Sequence, residues 1–165
     1  MKAKRGFTLI ELIVGMLVFS IAIVLLTSVL FPQSDRAAQT LQRVRAAELA
    51  QSVLNEIWGK AYDDETPIGG VPAACNPNDN NSLCSNHIGP DDEGRNDYDD
   101  VDDYDGMDES APQLNSNRTY EDDYPGFHLK VSVTANDDNS AKLIQVIVTT
   151  PQNEKIAFDA VRSNY

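Results

Sequence analysis

The chain has 165 residues, a formal net charge of −13 and a pI near 4.3. A surface this acidic repels a phosphate backbone, which excludes nucleic-acid binding as a reading. Once the apolar amino-terminal stretch is set aside, about 130 residues remain, enough for one modest domain.

The chain opens with Lys2, Lys4 and Arg5, followed by Gly6-Phe7-Thr8-Leu9-Ile10-Glu11. From Phe7 to Phe31 run 25 residues whose only ionisable side chain is Glu11. As a helix this stretch is about 37 Å long and can cross a hydrocarbon core of about 30 Å. The basic residues before it place the amino terminus in the cytoplasm and the acidic bulk outside. A secretory signal is cut after its apolar core; here the plausible cut precedes it, so the helix is retained. A carboxylate this early in an apolar helix requires a partner. Cleavage between Gly6 and Phe7 would supply one, because it leaves an α-amino group on Phe7 one helical turn from Glu11, and the two can pair within or between subunits.

Pro32 kinks the helix or marks a break, and Ser34-Asp35 is suited to cap a second one. Leu41, Val44, Ala47, Ala50, Leu54, Ile57 and Ala61 recur at threes and fours among polar residues, which predicts an amphipathic helix over 34–61 with that stripe buried. Joined to the apolar half, it makes a spine of about 55 residues, near 80 Å if unbroken. Gly59, Pro67 and Gly69-Gly70 end it.

Residues 62–126 read as a long irregular region. Between Asp63 and Asp123 stand 18 acids against Arg95 and Arg118, a balance of −16. Such composition is disordered unless something pins it. The pins on offer are Tyr98, Tyr104, Tyr120 and Tyr124, a Cys75–Cys84 bridge and a cation. An isolated cysteine pair in an outward-facing domain favours a disulfide, closing a loop of about ten residues for roughly 2–3 kcal/mol. Cys-x8-Cys lacks zinc-type spacing, and His87 does not complete a tetrahedral set. The run from Asp97 to Glu109 invites calcium, a hard ion that takes hard oxygen ligands. An EF-hand register fails, because placing Gly106 sixth puts Val101 first and Pro112 twelfth. What remains is an irregular site, with Asp99, Asp100, Asp102, Asp103 and Asp105 as candidate ligands, or a plain solvated loop. No other cofactor is expected. The Asn80 and Asn117 sequons read as chance in so asparagine-rich a stretch.

After Gly126 the period becomes two. Phe127, Leu129, Val131 and Val133 alternate with polar residues, 143–150 is a second and more continuously apolar strand, and Ile156, Phe158 and Ala160 define a third. Short connections imply an antiparallel meander over 127–165, covered by the helix. The fold class is α+β: a long amino-terminal helix packed on an antiparallel sheet of three or more strands, with an acidic loop between.

Lys4-Arg5-Gly6-Phe7-Thr8-Leu9-Ile10-Glu11 resembles the processing site of type IV prepilins. The resemblance implies a leader of residues 1–6, cleavage between Gly6 and Phe7 by a prepilin peptidase, and N-methylation of Phe7. It further implies that Glu11 neutralises the amino terminus of a neighbouring subunit, and that the partners are other pilin subunits and the inner-membrane assembly machinery. The chain would sit in the bacterial inner membrane before assembly and on the pilus or cell surface after it. Val44–Ser52, Gly59–Asp63 and Asp99–Tyr104 are similar to minor pilins of the mannose-sensitive haemagglutinin pilus, a group implied to act in initiation or at the tip. A minor pseudopilin of a type II secretion system carries the same leader and architecture. A calcium-binding tip adhesin and a plain anchored extracytoplasmic domain are readings of other classes. An enzyme would need His87 or His128 in a closed polar pocket, since no nucleophile elbow, phosphate loop or paired metal-His motif occurs.

Overall fold

A computed structural model describes residues 6–64, 66, 75, 84, 85 and 87–164. The chain divides into two compact units, Met1–Leu41 and Gln42–Tyr165. One helix, α1 (Leu9–Trp58), contributes to both. A 3-10 turn at Asp102–Tyr104, a four-residue helix α2 (Tyr120–Asp123), and strands β1 (His128–Ala135), β2 (Ala141–Thr149) and β3 (Lys155–Ser163) follow. This is the α+β architecture expected for a type IV pilin-like chain.

In the first unit the apolar side chains from Phe7 to Phe31 are exposed on every side of α1. The helix is long and apolar enough to cross a membrane. Its hydroxyls are satisfied within the helix, as hydrocarbon requires: Ser20 donates to Met16 O at 2.7 Å, Thr27 to Ile23 O at 3.0 Å and Ser28 to Leu25 O at 2.9 Å. The helix runs on past Pro32, so the break expected as one of two outcomes there does not occur, and Ser34-Asp35 lies inside the helix rather than capping a second one. Proline removes a single i→i−4 bond, and the flanking turns hold the helix.

In the second unit the buried stripe of α1 is Ala46, Leu49, Ala50, Val53 and Ile57. Of the expected stripe Ala50 and Ile57 are buried and Leu54 packs partly buried against the cluster, whereas Leu41 is 62 % exposed and Val44 49 % exposed. The helix also stops at Trp58, short of Ala61. Gly59 N–H donates to Glu56 O and Lys60 N–H to Ile57 O, both at 3.1 Å, which tightens the last turn. Ala61 instead pairs in a parallel bridge with Asp100.

The sheet order is β1-β2-β3, antiparallel throughout, with Val131 opposite Val146 and Val146 opposite Phe158. Leu129, Val131 and Val133 of β1 and Ile144, Val146 and Val148 of β2 are buried in one cluster with the helix stripe. Asn139 and Asn153 adopt positive φ of 53° and 61° in the two turns, a conformation asparagine tolerates better than most residues. Ordinary apolar plugs hold the acidic segment onto this core. Val101, Tyr104, Met107 and Tyr120 are buried, and Tyr98 and Tyr124 pack partly buried against them.

Candidate functional site

At the amino-terminal junction, Gly6 and Phe7 precede the first turn of α1, and Phe7 is 86 % exposed. Nothing lies within 4 Å of where a Cβ on Gly6 would stand. Among the described residues, Gly6 and Phe7 both stand exposed. Thr8 is the residue before the helix, and its Oγ1 accepts the Glu11 N–H at 3.4 Å. Thr8-x-x-Glu11 has capping-box spacing, a signal legible in the sequence that the reading above passed over. It fixes the start of the helix so that Glu11 stands one turn in, on an exposed position. The leader residues before Gly6 lie outside the described residues.

The acidic loop holds the calcium candidates in different roles. Asp105 Oδ1 accepts Val133 N–H at 2.8 Å, and Glu109 Oε2 accepts Leu129 N–H at 3.1 Å. Between them Met107 O accepts Val131 N–H at 2.9 Å. Two carboxylates and a carbonyl thus take the place of a fourth strand along the outer edge of β1. Asp100 Oδ1 accepts Asp102 N–H at 2.6 Å and Asp103 N–H at 3.1 Å. Asp103 Oδ2 accepts Asp99 and Asp100 N–H at 2.9 and 3.1 Å. Of the five candidates only Asp99 and Asp103 come together as a cation site would need, and they do so with Glu93, which the sequence reading did not single out; one oxygen of each lies within 4.8 Å of the others.

Crowding of this kind raises carboxyl pKa values. Asp100 is pushed up to about 7, first by burial and then by Asp102. Asp64 is exposed as a residue, yet its carboxyl packs against Asp91 and Asp99 and is also pushed up to about 7, with desolvation the leading cause. Glu109 goes the other way, lowered despite partial burial because His128 and the Leu129 N–H stabilise its charged form.

A second buried cluster centres on Lys142. Its Nζ donates to Asp102 Oδ2 and to Tyr62 O, each at 2.6 Å, and lies 3.4 Å from Asp63 Oδ2. Asp63 Oδ1 accepts Ser85 N–H at 2.8 Å, next to Cys84. Cys75 and Cys84 form a disulfide, with Cα atoms 4.8 Å apart. Asn164 receives Cys75 N–H on Oδ1 at 3.1 Å and donates from Nδ2 to Cys75 O at 2.7 Å. The bridge is thereby pinned on both sides, by Asp63 through Ser85 and by Asn164. The Asn80 sequon lies outside the described residues.

The two histidines are separate and exposed. His87 Nδ1 pairs with Asp91 Oδ1 at 2.8 Å, and His128 Nδ1 with Glu109 Oε1 at 2.7 Å. Neither imidazole is enclosed.

Residues 1–27 match the family described as the prokaryotic N-terminal methylation motif. No curated protein and no solved structure shows significant similarity to the chain.

Proposed function

We propose that this chain is a minor type IV pilin, of the kind represented by protein D of the mannose-sensitive haemagglutinin pilus, cut between Gly6 and Phe7 and built into a pilus during initiation or at its tip. The methylation motif over residues 1–27 supports the coarser statement, a type IV pilin or pseudopilin processed by prepilin peptidase. The observation that carries the reading is the coincidence of that motif with an exposed Gly6 and Phe7 at the mouth of a membrane-length apolar helix. The role is structural, not enzymatic. After cleavage Phe7 carries the new amino group, and Glu11 on α1 meets the amino group of a neighbouring subunit. Partners are other pilins, the peptidase and the inner-membrane machinery. The domain from Gln42 onward faces the periplasm before assembly and the exterior after it.

Intact mass and amino-terminal sequence of the chain recovered from membranes, with and without the peptidase, test this. N-methyl-phenylalanine at the start supports the pathway, and an unchanged Met1 in both samples overturns it. Pili lost on deletion, with secretion intact, favour the pilin over the type II pseudopilin.

A structural calcium ion belongs to the same reading as a lesser element. Glu93, Asp99 and Asp103 would hold it, which fits the oxygen chemistry calcium prefers. Millimolar calcium should then raise the melting temperature, and no shift would end the idea.

A further inference from the structure

Lys142 is a buried amine held against two buried carboxyls. The side chains of Lys142, Asp102 and Asp63 are 2, 5 and 1 % exposed. The Tyr62 ring covers Nζ at 4.4 Å from its centroid. Asp102 Oδ1 is buried with no hydrogen-bond partner. Asp100, also buried, lies two residues from Asp102 and accepts its N–H. One cation therefore serves three enclosed carboxyls.

We propose that Lys142 Nζ and the Asp102 side-chain carbon are joined by an intramolecular isopeptide bond, with Asp63 carrying the protons. The Lys142 ammonium passes one proton through Asp63 to an Asp102 oxygen. The neutral amine attacks the Asp102 carboxyl carbon and forms the C–N bond. A second proton leaves the nitrogen by the same route, the C–O bond to that oxygen breaks, and water departs. Asp63 ends as the carboxylate it began as. An ammonium and a carboxylate become one amide and one water, and no oxidant or co-reactant is consumed.

In water this condensation is opposed by solvation of both ions. Burial removes that solvation, and holding the partners at 2.6 Å supplies an effective concentration no solution reaches. A cavity of about 190 Å³ bordered by Asp102, Lys142, Ser85 and Asn139 gives the released water a place to go. The unpartnered Asp102 oxygen has no bond to lose in the step. The product ties β2 to the 3-10 turn across 40 residues of sequence.

The full-length chain purified from membranes in detergent is measured by intact mass and by peptide mapping. The expected result is a wild-type chain lighter by one water than the linear chain with the same amino terminus, with the peptides bearing Lys142 and Asp102 recovered as one branched species. Lys142→Arg should return the full mass, and Asp63→Asn should return a full-mass fraction with the two peptides separate. A wild-type chain at full mass, with Lys142 in an ordinary linear peptide, overturns the proposal and leaves an ion pair only. Complete cross-linking in Asp63→Asn overturns the role of Asp63.

Discussion

Glu56 of α1 receives the Arg95 guanidinium at 2.6 Å inside the second unit, with side-chain exposures of 13 and 7 %. Tyr104 and Tyr120 donate their hydroxyls to the same carboxylate at 2.7 and 3.3 Å. The rings of Tyr98 and Tyr104 lie 5.2 and 5.3 Å from the guanidinium carbon. The most acidic stretch of the chain is thus fastened to the helix through one of its two arginines. Glu56→Ala should destabilise the second unit by about 3–5 kcal/mol, because Arg95 is left buried and unpaired. Thermal unfolding of the detergent-purified chain measures it, and a change within experimental error would show that the pair contributes nothing net.

Asp100 makes stability depend on pH in a direction opposite to that of a salt-bridged carboxylate. Its folded pKa of about 7 lies above the ordinary 3.8, so the folded state holds the proton more tightly. Its contribution is fully present below 3.8, declines as pH rises toward 7, and is level beyond. Asp100→Asn keeps the Oδ1 acceptor for the Asp102 and Asp103 N–H groups and removes the titration. The stability difference between wild type and Asp100→Asn should therefore change between about pH 4 and 7 and stay flat from 7 to 9.

The helix faces can be told apart by truncation. Ile57→Ala, at a fully buried position, should cost about 2–5 kcal/mol. Leu41→Ala and Val44→Ala should each change the unfolding of the isolated chain by no more than about 0.5 kcal/mol. If Val44→Ala costs as much as Ile57→Ala, the observed stripe is wrong.

Asp105→Ala should leave the Val133 N–H without its acceptor on the edge of β1, at a cost of about 1–3 kcal/mol. Hydrogen exchange should accelerate at Val133 while Val131, bonded to Met107 O, changes less. Equal acceleration at both would mean that the segment 105–109 detaches as a whole.

The three strands were legible because a period of two is imposed by the sheet itself, and Asn-rich turns punctuate it at both ends. The buried face of the helix was legible from Ala50 to Ile57 but not where it begins. Leu41 and Val44 are apolar enough to belong to a core, yet the buried contacts of α1 begin at Ala46, and a sequence records which side chains are apolar rather than which have a partner. The junction is local in sequence, and residues 1–27 match the prokaryotic N-terminal methylation motif. The acidic loop could not. Asp100, Asp102 and Asp105 look alike in a run of acids, whereas the fold sends one to backbone amides of its own turn, one to Lys142 and one to the neighbouring strand. Glu56 and Lys142 carried no signal beyond their places in a helix and a strand.

The borrowed fourth strand along β1 leaves the sheet lopsided. Its β1 side is filled by Asp105, Met107 and Glu109, while among the described residues no backbone hydrogen bond reaches the outer side of β3. An open strand is an invitation to stack, and two open strands on one sheet would let copies add without end. Among the described residues, then, the two sides of the sheet differ in kind: one is held within the chain and the other is bare strand.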